Sequence, residues 1–509
     1  MAATRWKKLR KKLSNGEELF YLTVDCCTMI VFGGTGDLAH RKLAPALYNM
    51  HLEGLLPDQF QMIGLGRKEK SDNQYRKELA ASVEEYSAFS WDAGKWAELE
   101  SRLYYQSGDL RDNQTYETLR DKADHINIES SDDYNILYYL AVAPQYFPLA
   151  ASKLKRHQRT PGGGGWRRIM IEKPFGYDLK TASELNSNLT AAFKEDSIYR
   201  VDHYLGKEML QNILTIRFAN SLFEPLWNNR FIDSVQISAL EKEGIGDRGR
   251  YYDRAGAMRD MFQSHLLQML AVTAMEPPLV KSVEAIKDEK LMLLKAVNPG
   301  SMDNGNGGIV LGQYGGYLEE KDIRSRSLTE TYAAVKLEID NDRWRGVPFY
   351  LRTGKKLHDK LAKIVIQFKK PPDIYDGELG EKLKQAEGTL ENLLTLKIQP
   401  SEGVVFQFNI KKPGTVDEIA PAAMDFCQPC AYAINTPEAY EYLLTDAMKG
   451  DPARFTTWSE IEAAWKLTDG LYSHFKDTRG QVHLYEQGSR GPAEAEQMLE
   501  KDGRRWWES

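Results

Sequence analysis

This sequence predicts an α/β domain followed by an α+β domain, and three observations predict it. From about residue 25 to residue 198, short apolar runs alternate with helix-length stretches, the pattern of a doubly wound parallel sheet covered on both faces. A glycine-rich turn joins the first run to the first helical stretch. Beyond about residue 230 the apolar residues switch to strict period two, the pattern of antiparallel strands with one wet face. A length of 509 residues also exceeds what one core usually supports. The expected organisation is therefore a basic tail over residues 1–24, a dinucleotide-binding domain over 25–198, and an α+β domain over 199–509.

The tail carries six Arg or Lys in its first twelve residues, and no apolar segment follows them. That argues against a secretory signal and for a solvated tail. Cys26 to Phe32 then reads as a strand, Gly33 to Ala39 as a tight turn, and the stretch to about Glu53 as a helix. Further strand-like runs lie at Gln61 to Leu65, Leu103 to Ser107, Ile136 to Val142 and Ile169 to Ile171. Pro161 to Gly165 reads as a surface loop, since no helix follows that could turn its glycines into a phosphate cradle.

In the second half the alternating sets are Val235, Ile237, Ala239; Val335, Leu337, Ile339; Ile364, Ile366, Phe368; and Val404, Phe406, Phe408, Ile410. Helical stretches at Arg254 to Ala274, Pro437 to Met448 and Trp458 to His474 are expected to cover the sheet. Asn298 to Gly316 reads as a long loop, and the last twenty or so residues as a mostly polar tail. Neither an internal repeat nor a low-complexity tract stands out.

Composition excludes several classes. No run approaches the roughly 20 apolar residues of a membrane span. The net charge of −6 gives no global attraction for nucleic acid, so an anionic substrate needs a local basic cluster. Four cysteines, Cys26, Cys27, Cys427 and Cys430, make no disulfide framework for so long a chain and point to a reducing, cytoplasmic setting. Cys427-Gln-Pro-Cys430 is a lone CxxC without a second ligand pair, so no metal site is expected.

The chemistry concentrates in Tyr199 to Glu208, which holds an aspartate, a histidine, two tyrosines and a lysine. On a helix, His203 and Lys207 would fall at i and i+4 and converge on one anion such as a phosphate. Asp202, pointing elsewhere, would orient a remote histidine; alternatively the stretch is an ordinary polar surface. His265 lies on a stripe with Met258, Met261, Phe262 and Met269, which by itself suits a core histidine. Paired with Asp202 it becomes a general base with its tautomer fixed. Gly34-Thr-Gly-Asp-Leu-Ala39 fits G-x-G-x-x-A at the place where a dinucleotide fingerprint belongs. The second strand ends near Arg67 and Lys68, cations that favour NADP over NAD. Lys173 follows a strand at its carboxyl end. Lys355 and Lys360 follow another probable strand, Val347 to Leu351, and Glu241 and Asp260 could take hydrogen bonds from several hydroxyls; each also has a solvated reading.

These residues also resemble a known family. GGTGDLA (Gly33 to Ala39), IEKPFG (Ile171 to Gly176), RVDHYLGKE (Arg200 to Glu208), YYDRAGAMRDMFQSHLLQML (Tyr251 to Leu270), GVPFYLRTGK (Gly346 to Lys355) and LKIQPSEGV (Leu396 to Val404) are similar to the motifs of glucose-6-phosphate dehydrogenases, with likeness running from about Met29 nearly to the C-terminus. The resemblance implies a Rossmann-like coenzyme domain and an α+β domain with a large antiparallel sheet, NADP as cofactor, glucose 6-phosphate as substrate and a homodimer or homotetramer. It puts the catalytic base on His265 and its orienting carboxylate on Asp202. It puts phosphate binding on His203, Tyr204 and Lys207, and the lysine touching sugar and coenzyme on Lys173. The sugar pocket falls on Glu241, Asp260, Lys355, Lys360 and Gln399, and the coenzyme on Gly33, Gly34, Thr35, Gly36, Asp37, Leu38, Arg67 and Lys173. Arg250, the Pro161 to Gly165 run and the basic N-terminus depart from the family pattern.

Overall fold

A computed structural model describes residues 8–12, 18–22, 25–127, 134–157, 165–299, 308–370, 391–415, 419–427 and 439–508. The chain forms two compact units. One comprises Met1–Gly176, Lys180–Gly206 and Pro437–Trp458; the other Tyr177–Leu179, Lys207–Thr436 and Ser459–Ser509.

The basic segment expected to be a solvated tail contains a hairpin, β1 (Lys8–Lys12) against antiparallel β2 (Glu18–Leu22). Leu19 to Leu22 is a short apolar run with two aromatic residues, a strand composition that the dense charge before it obscured.

The first unit is built on β3 (Cys27–Phe32), β4 (Gln61–Gly66), β5 (Leu103–Ser107), β6 (Asn135–Leu140), β7 (Arg167–Glu172) and β8 (Ile198–Val201). All are parallel, in the order β8-β7-β6-β3-β4-β5. Every residue of β3 is buried, as a strand covered on both faces requires. Met29 and Val31 share one core with Leu47, Leu79 and Val83, from helices Ala44–Leu52 and Asp72–Tyr86. On the other face Phe32 meets Tyr116 of helix Asn113–Ile126, ring centroids 6.1 Å apart. Neighbours of β3 lead off in opposite directions, β4 on one side and β6 on the other, which opens a crevice at the carboxyl ends of the two.

The second unit holds β9 (Ile232–Leu240), β10 (Val297–Pro299), β11 (Ile309–Tyr314), β12 (Tyr332–Ile339), β13 (Phe349–Gly354), β14 (Leu361–Phe368), β15 (Leu393–Gln399), β16 (Gly403–Lys411) and β17 (Ile419–Cys427). With β19 (Val482–Tyr485) they make one sheet, ordered β17-β16-β15-β14-β9-β13-β12-β11-β19, with β10 also on β12. The pairing is mostly antiparallel, but β9 runs parallel to β13 and β11 to β19. The short strand β18 (Phe455–Thr456) belongs instead to the first unit, against β8.

Four expectations need correction. Helix Ala439–Lys449 does not cover the antiparallel sheet; Leu443, Leu444, Ala447 and Met448 are buried in the first unit with Tyr199 and Val201. Its periodicity declares a buried face but not which core receives it. The stretch read as a loop from Asn298 includes the buried strand β11, although part of it lies outside the described residues. The C-terminal residues are no polar tail: helix Ala493–Glu500 contributes Leu499 to the core, and Trp506 lies against Tyr350 with centroids 6.2 Å apart. Finally, Cys427 is disulfide-bonded whereas Cys26 and Cys27 are free, since a count of cysteines does not fix their oxidation state. Pro161 to Gly164 and Cys430 lie outside the described residues. Among the described residues no helix is long and apolar enough to cross a membrane.

Candidate active site

In the first unit the turn after β3 is set by two amides. Gly33 N and Gly34 N both donate to Leu65 O at 2.9 Å, and Gly36 N closes back on Gly33 O at 2.8 Å. Gly33 has φ +88°, and a Cβ there would stand 2.3 Å from the carbonyl oxygen of Ala141, which follows β6. On Gly34 it would stand 2.6 Å from the Cα of Gly64, and Tyr75 Oη donates to Gly34 O at 3.0 Å. A bare backbone therefore lines the switch-point crevice, and the helical run that opens at Asp37 and Leu38 presents its first amides there. Thr35 packs under Gly66, and Arg67 and Lys68 emerge exposed just past β4. Glycines without Cβ, helix amides for a pyrophosphate and two cations at the second strand fit a phosphorylated dinucleotide.

β7 and β8 are parallel with Glu172 opposite Val201, so Lys173 and Asp202 leave the sheet side by side at the same carboxyl edge. Asp202 is buried, and its Oδ1 accepts from Tyr204 N at 3.0 Å while its backbone oxygen accepts from Leu205 N at 2.9 Å. This ties Asp202 to Leu205 as a turn, not a helix. The i, i+4 placement of His203 and Lys207 is thereby overturned: His203 and Tyr204 sit in the turn, their rings 5.1 Å apart, and Lys207 is the N-cap of helix Glu208–Phe218 in the second unit. Glu172 accepts from Tyr139 Oη at 2.5 Å and Tyr440 Oη at 3.1 Å. Burial pushes its carboxyl up, and the two phenols work against that shift. Tyr440 lies more than 200 residues from Glu172, so only the fold could show this clasp.

The second unit gathers its candidates along one sheet edge. Because β9 and β13 are parallel with Leu240 opposite Gly354, the next residues on each, Glu241 and Lys355, face one another and form an ion pair. Glu241 N donates to Gly354 O at 2.9 Å, and the Lys355 ammonium is buried 5.2 Å above the Tyr252 ring. β14 starts where β9 ends, Leu361 opposite Leu240, which sets Lys360 at this edge with Glu243 at 2.9 Å. That hydrogen bond holds the Glu243 carboxyl below the usual range. β15 returns antiparallel with Gln399 opposite Ala362. Lys207 lies within electrostatic reach of Glu402, just beyond Gln399.

Asp260 and His265 ride on one segment, Met258–Leu266, which packs on β9, β12 and β13. It is a π-helix and not the α-helix that the stripe of methionines suggested; its wider turn is of the kind found as bulges at functional sites. His265 is fully buried, and Asp260 Oδ1 accepts from Tyr251 Oη at 3.1 Å. Burial, with the Asp260 charge, pushes the Tyr251 phenol far up, so it stays protonated and able to donate to Asp260. Tyr251, Glu172 and Glu243 escaped the reading of the sequence. The first two stood inside motifs already singled out, but nothing local distinguishes a phenol or carboxylate that supports a site from one that faces water.

Comparison with known proteins gives concordant results. A family model described as glucose-6-phosphate dehydrogenase, NAD binding domain, matches residues 30–212, and one described as glucose-6-phosphate dehydrogenase, C-terminal domain, matches residues 214–507. Glucose-6-phosphate 1-dehydrogenase of Chlamydia pneumoniae is 42% identical over 496 residues, 94% of this chain and 96% of that protein. The Bacillus subtilis enzyme is 40% identical over 491 residues, 94% and 98% respectively. A solved structure of glucose-6-phosphate dehydrogenase in complex with glucose 6-phosphate superposes with TM-score 0.85 at 34% identity, covering 96% of this chain and 99% of the other.

Proposed function

The chain belongs to the glucose-6-phosphate dehydrogenase family, and from that premise we propose that it oxidises D-glucose 6-phosphate at C1 to 6-phospho-D-glucono-1,5-lactone with NADP as hydride acceptor. The observation that carries this reading is the register of β7 and β8, which leaves Lys173 and Asp202 at the same carboxyl edge as the Gly33 to Leu38 turn. A sugar and a nicotinamide must meet at such an edge for hydride transfer.

In this reading His265 takes the proton from the C1 hydroxyl, and Asp202 holds its tautomer and stabilises the imidazolium that forms. His203, Tyr204 and Lys207 hold the phosphate; Lys355, Lys360, Glu241, Asp260 and Gln399 hold the sugar hydroxyls. Lys173 contacts both sugar and coenzyme. Backbone amides of Gly33 to Leu38 would hold the coenzyme pyrophosphate, and Arg67 its 2′-phosphate. When bound, the coenzyme supplies the hydride acceptor; the chain supplies position and proton removal. A homodimeric or homotetrameric assembly in the cytoplasm belongs to the same family reading.

The test is reduction of NADP and of NAD with glucose 6-phosphate, on the natural protein and on His265→Asn. Loss of a general base costs on the order of 10²–10⁴-fold in rate, so NADP turnover should fall by that much while substrate affinity is kept. Turnover unchanged in the variant removes His265 from the role, and turnover with NAD equal to that with NADP removes the NADP preference.

A further inference from the structure

The π-helix that carries Asp260 and His265 does not begin by continuing the helix before it. Helix Gly249–Ala257 is interrupted at Gly256, with φ +67° and ψ 177°, a conformation essentially reserved for glycine. The side chain of Glu330 fills the space beside it: a Cβ on Gly256 would stand 2.3 Å from Glu330 Oε1 and 2.6 Å from its carboxyl carbon. Directly after the interruption, Glu330 takes the first two amides. Ala257 N donates to Glu330 O at 3.0 Å, and Met258 N to Glu330 Oε1 at 3.1 Å. Tyr472 Oη donates to the same Oε1. The Arg259 guanidinium lies 4.4 Å over the Tyr472 ring, and its Nε donates to Tyr177 O at 2.9 Å. A buried carboxylate thus caps the N-terminus of the helix, where helix amides need an acceptor.

The residue after Glu330 serves the other half of the sugar site. Thr331 O accepts from Lys355 N at 3.0 Å, and Tyr485 Oη donates to Lys355 O at 2.7 Å while lying 2.9 Å from Thr331 Oγ1. Two consecutive residues therefore fix where the Asp260 and His265 helix starts and where Lys355 leaves β13.

We propose that Glu330 is a positioning residue for the dehydrogenase reaction: its carboxylate sets the start of the π-helix and so the placement of Asp260 and His265, while Thr331 sets Lys355 against them. The inference rests on the roles given above to Asp260, His265 and Lys355, and it assigns Glu330 no contact with substrate or coenzyme.

Steady-state kinetics and thermal unfolding of the full chain test it. Displacement of reacting groups by about 1 Å can cost on the order of 10²-fold, so Glu330→Ala, which frees Met258 N and Tyr472, is expected to lower kcat at least about tenfold while KM for NADP stays within about twofold. Glu330→Gln keeps an oxygen acceptor for both donors and should restore kcat to within about threefold of the natural protein. Glu460→Gln, which breaks the buried Lys290–Glu460 pair elsewhere in the same unit, is the control: it lowers Tm and leaves kcat unchanged. The proposal is overturned if Glu330→Ala retains its kcat, or if Glu460→Gln loses kcat in the same proportion to Tm. Should Glu330→Ala fail to fold, Tyr472→Phe decides, with a kcat loss of about two- to fivefold expected from one removed hydrogen bond and no loss refuting. His265→Asn, measured alongside, separates the two levels. If it collapses turnover while the Glu330 and Tyr472 variants do not, only the positioning role fails; if it keeps full turnover, the reading of His265 fails by itself.

Discussion

Lys363 offers a quantitative check on the electrostatics of the large sheet. It lies in β14, opposite Ser238 of β9 and Lys397 of β15, and only 5% of it is exposed. Its ammonium pKa is lowered from 10.5 to about 8, chiefly by burial, with the Arg352 and Lys397 charges acting in the same direction and Glu508 and Asp359 opposing them. At ~1.36 kcal/mol per pH unit, that drop amounts to about 3 kcal/mol against the charged form in the folded protein. Because the folded pKa is depressed, the unfolded chain binds this proton more tightly, so the penalty is complete below pH 8 and disappears as pH rises towards 10.5. Replacing Lys363 with Met keeps the length of the side chain and removes the charge. We expect Lys363→Met to be more stable than the natural protein at pH 7 by about 2–3 kcal/mol. Urea unfolding followed by tryptophan fluorescence, at pH 7 and pH 9.5, reads the difference, which should shrink at the higher pH. A variant that is equally stable or less stable at pH 7, with no convergence at pH 9.5, would refute the reasoning, because it would mean that the ammonium charge is already compensated in the fold.

Two further outcomes follow from the first unit. Gly33→Ala must place a Cβ 2.3 Å from Ala141 O at φ +88°; the turn has to shift, so KM for NADP should rise about tenfold or more while KM for glucose 6-phosphate moves far less, and unchanged coenzyme kinetics would show that the turn does not hold the dinucleotide. Asp446, buried beside Arg454 at 2.6 Å, has its carboxyl raised from 3.8 to about 6, chiefly by burial. The folded state therefore holds this proton the more tightly, and stability contributed below about pH 4 is lost as pH rises to about 6. Tm profiles of the natural protein and Asp446→Asn over pH 4 to 7 should differ in slope across that window; parallel profiles would count against the shift.

Much of the site was legible because its chemistry sits in short runs. Gly33 to Ala39 follows a strand and opens a helix, and a dinucleotide turn needs nothing more distant than that sequence of elements. Lys173 and Asp202 each sit at the end of an apolar strand, so their edge position followed from β7 and β8 alone. The strands of the large sheet announced themselves by period two, which depends only on successive side chains pointing to opposite faces. Arg67 and Lys68, the cations on which the expectation of NADP rests, stand exposed just past β4, again a local reading.

Tertiary structure decided everything that depends on register or on long separation. A parallel pairing of β9 with β13 brings Glu241 to Lys355 across 114 residues, and no spacing in the sequence encodes that choice of neighbour. Helix Ala439–Lys449 and the C-terminal segment with Trp506 show the same limit: an amphipathic or aromatic pattern says that a face will be buried, while the partner is set by which cavity it fills. The π-helix under His265 is likewise a tertiary product. Its residues have an ordinary helical pattern, yet it starts where Gly256 interrupts the preceding helix and where Glu330, 74 residues on, accepts from Ala257 N and Met258 N. Local sequence thus singled out the candidate groups, and packing determined their placement, because hydrophobic burial rewards contact without specifying partners until the whole chain competes for the same core.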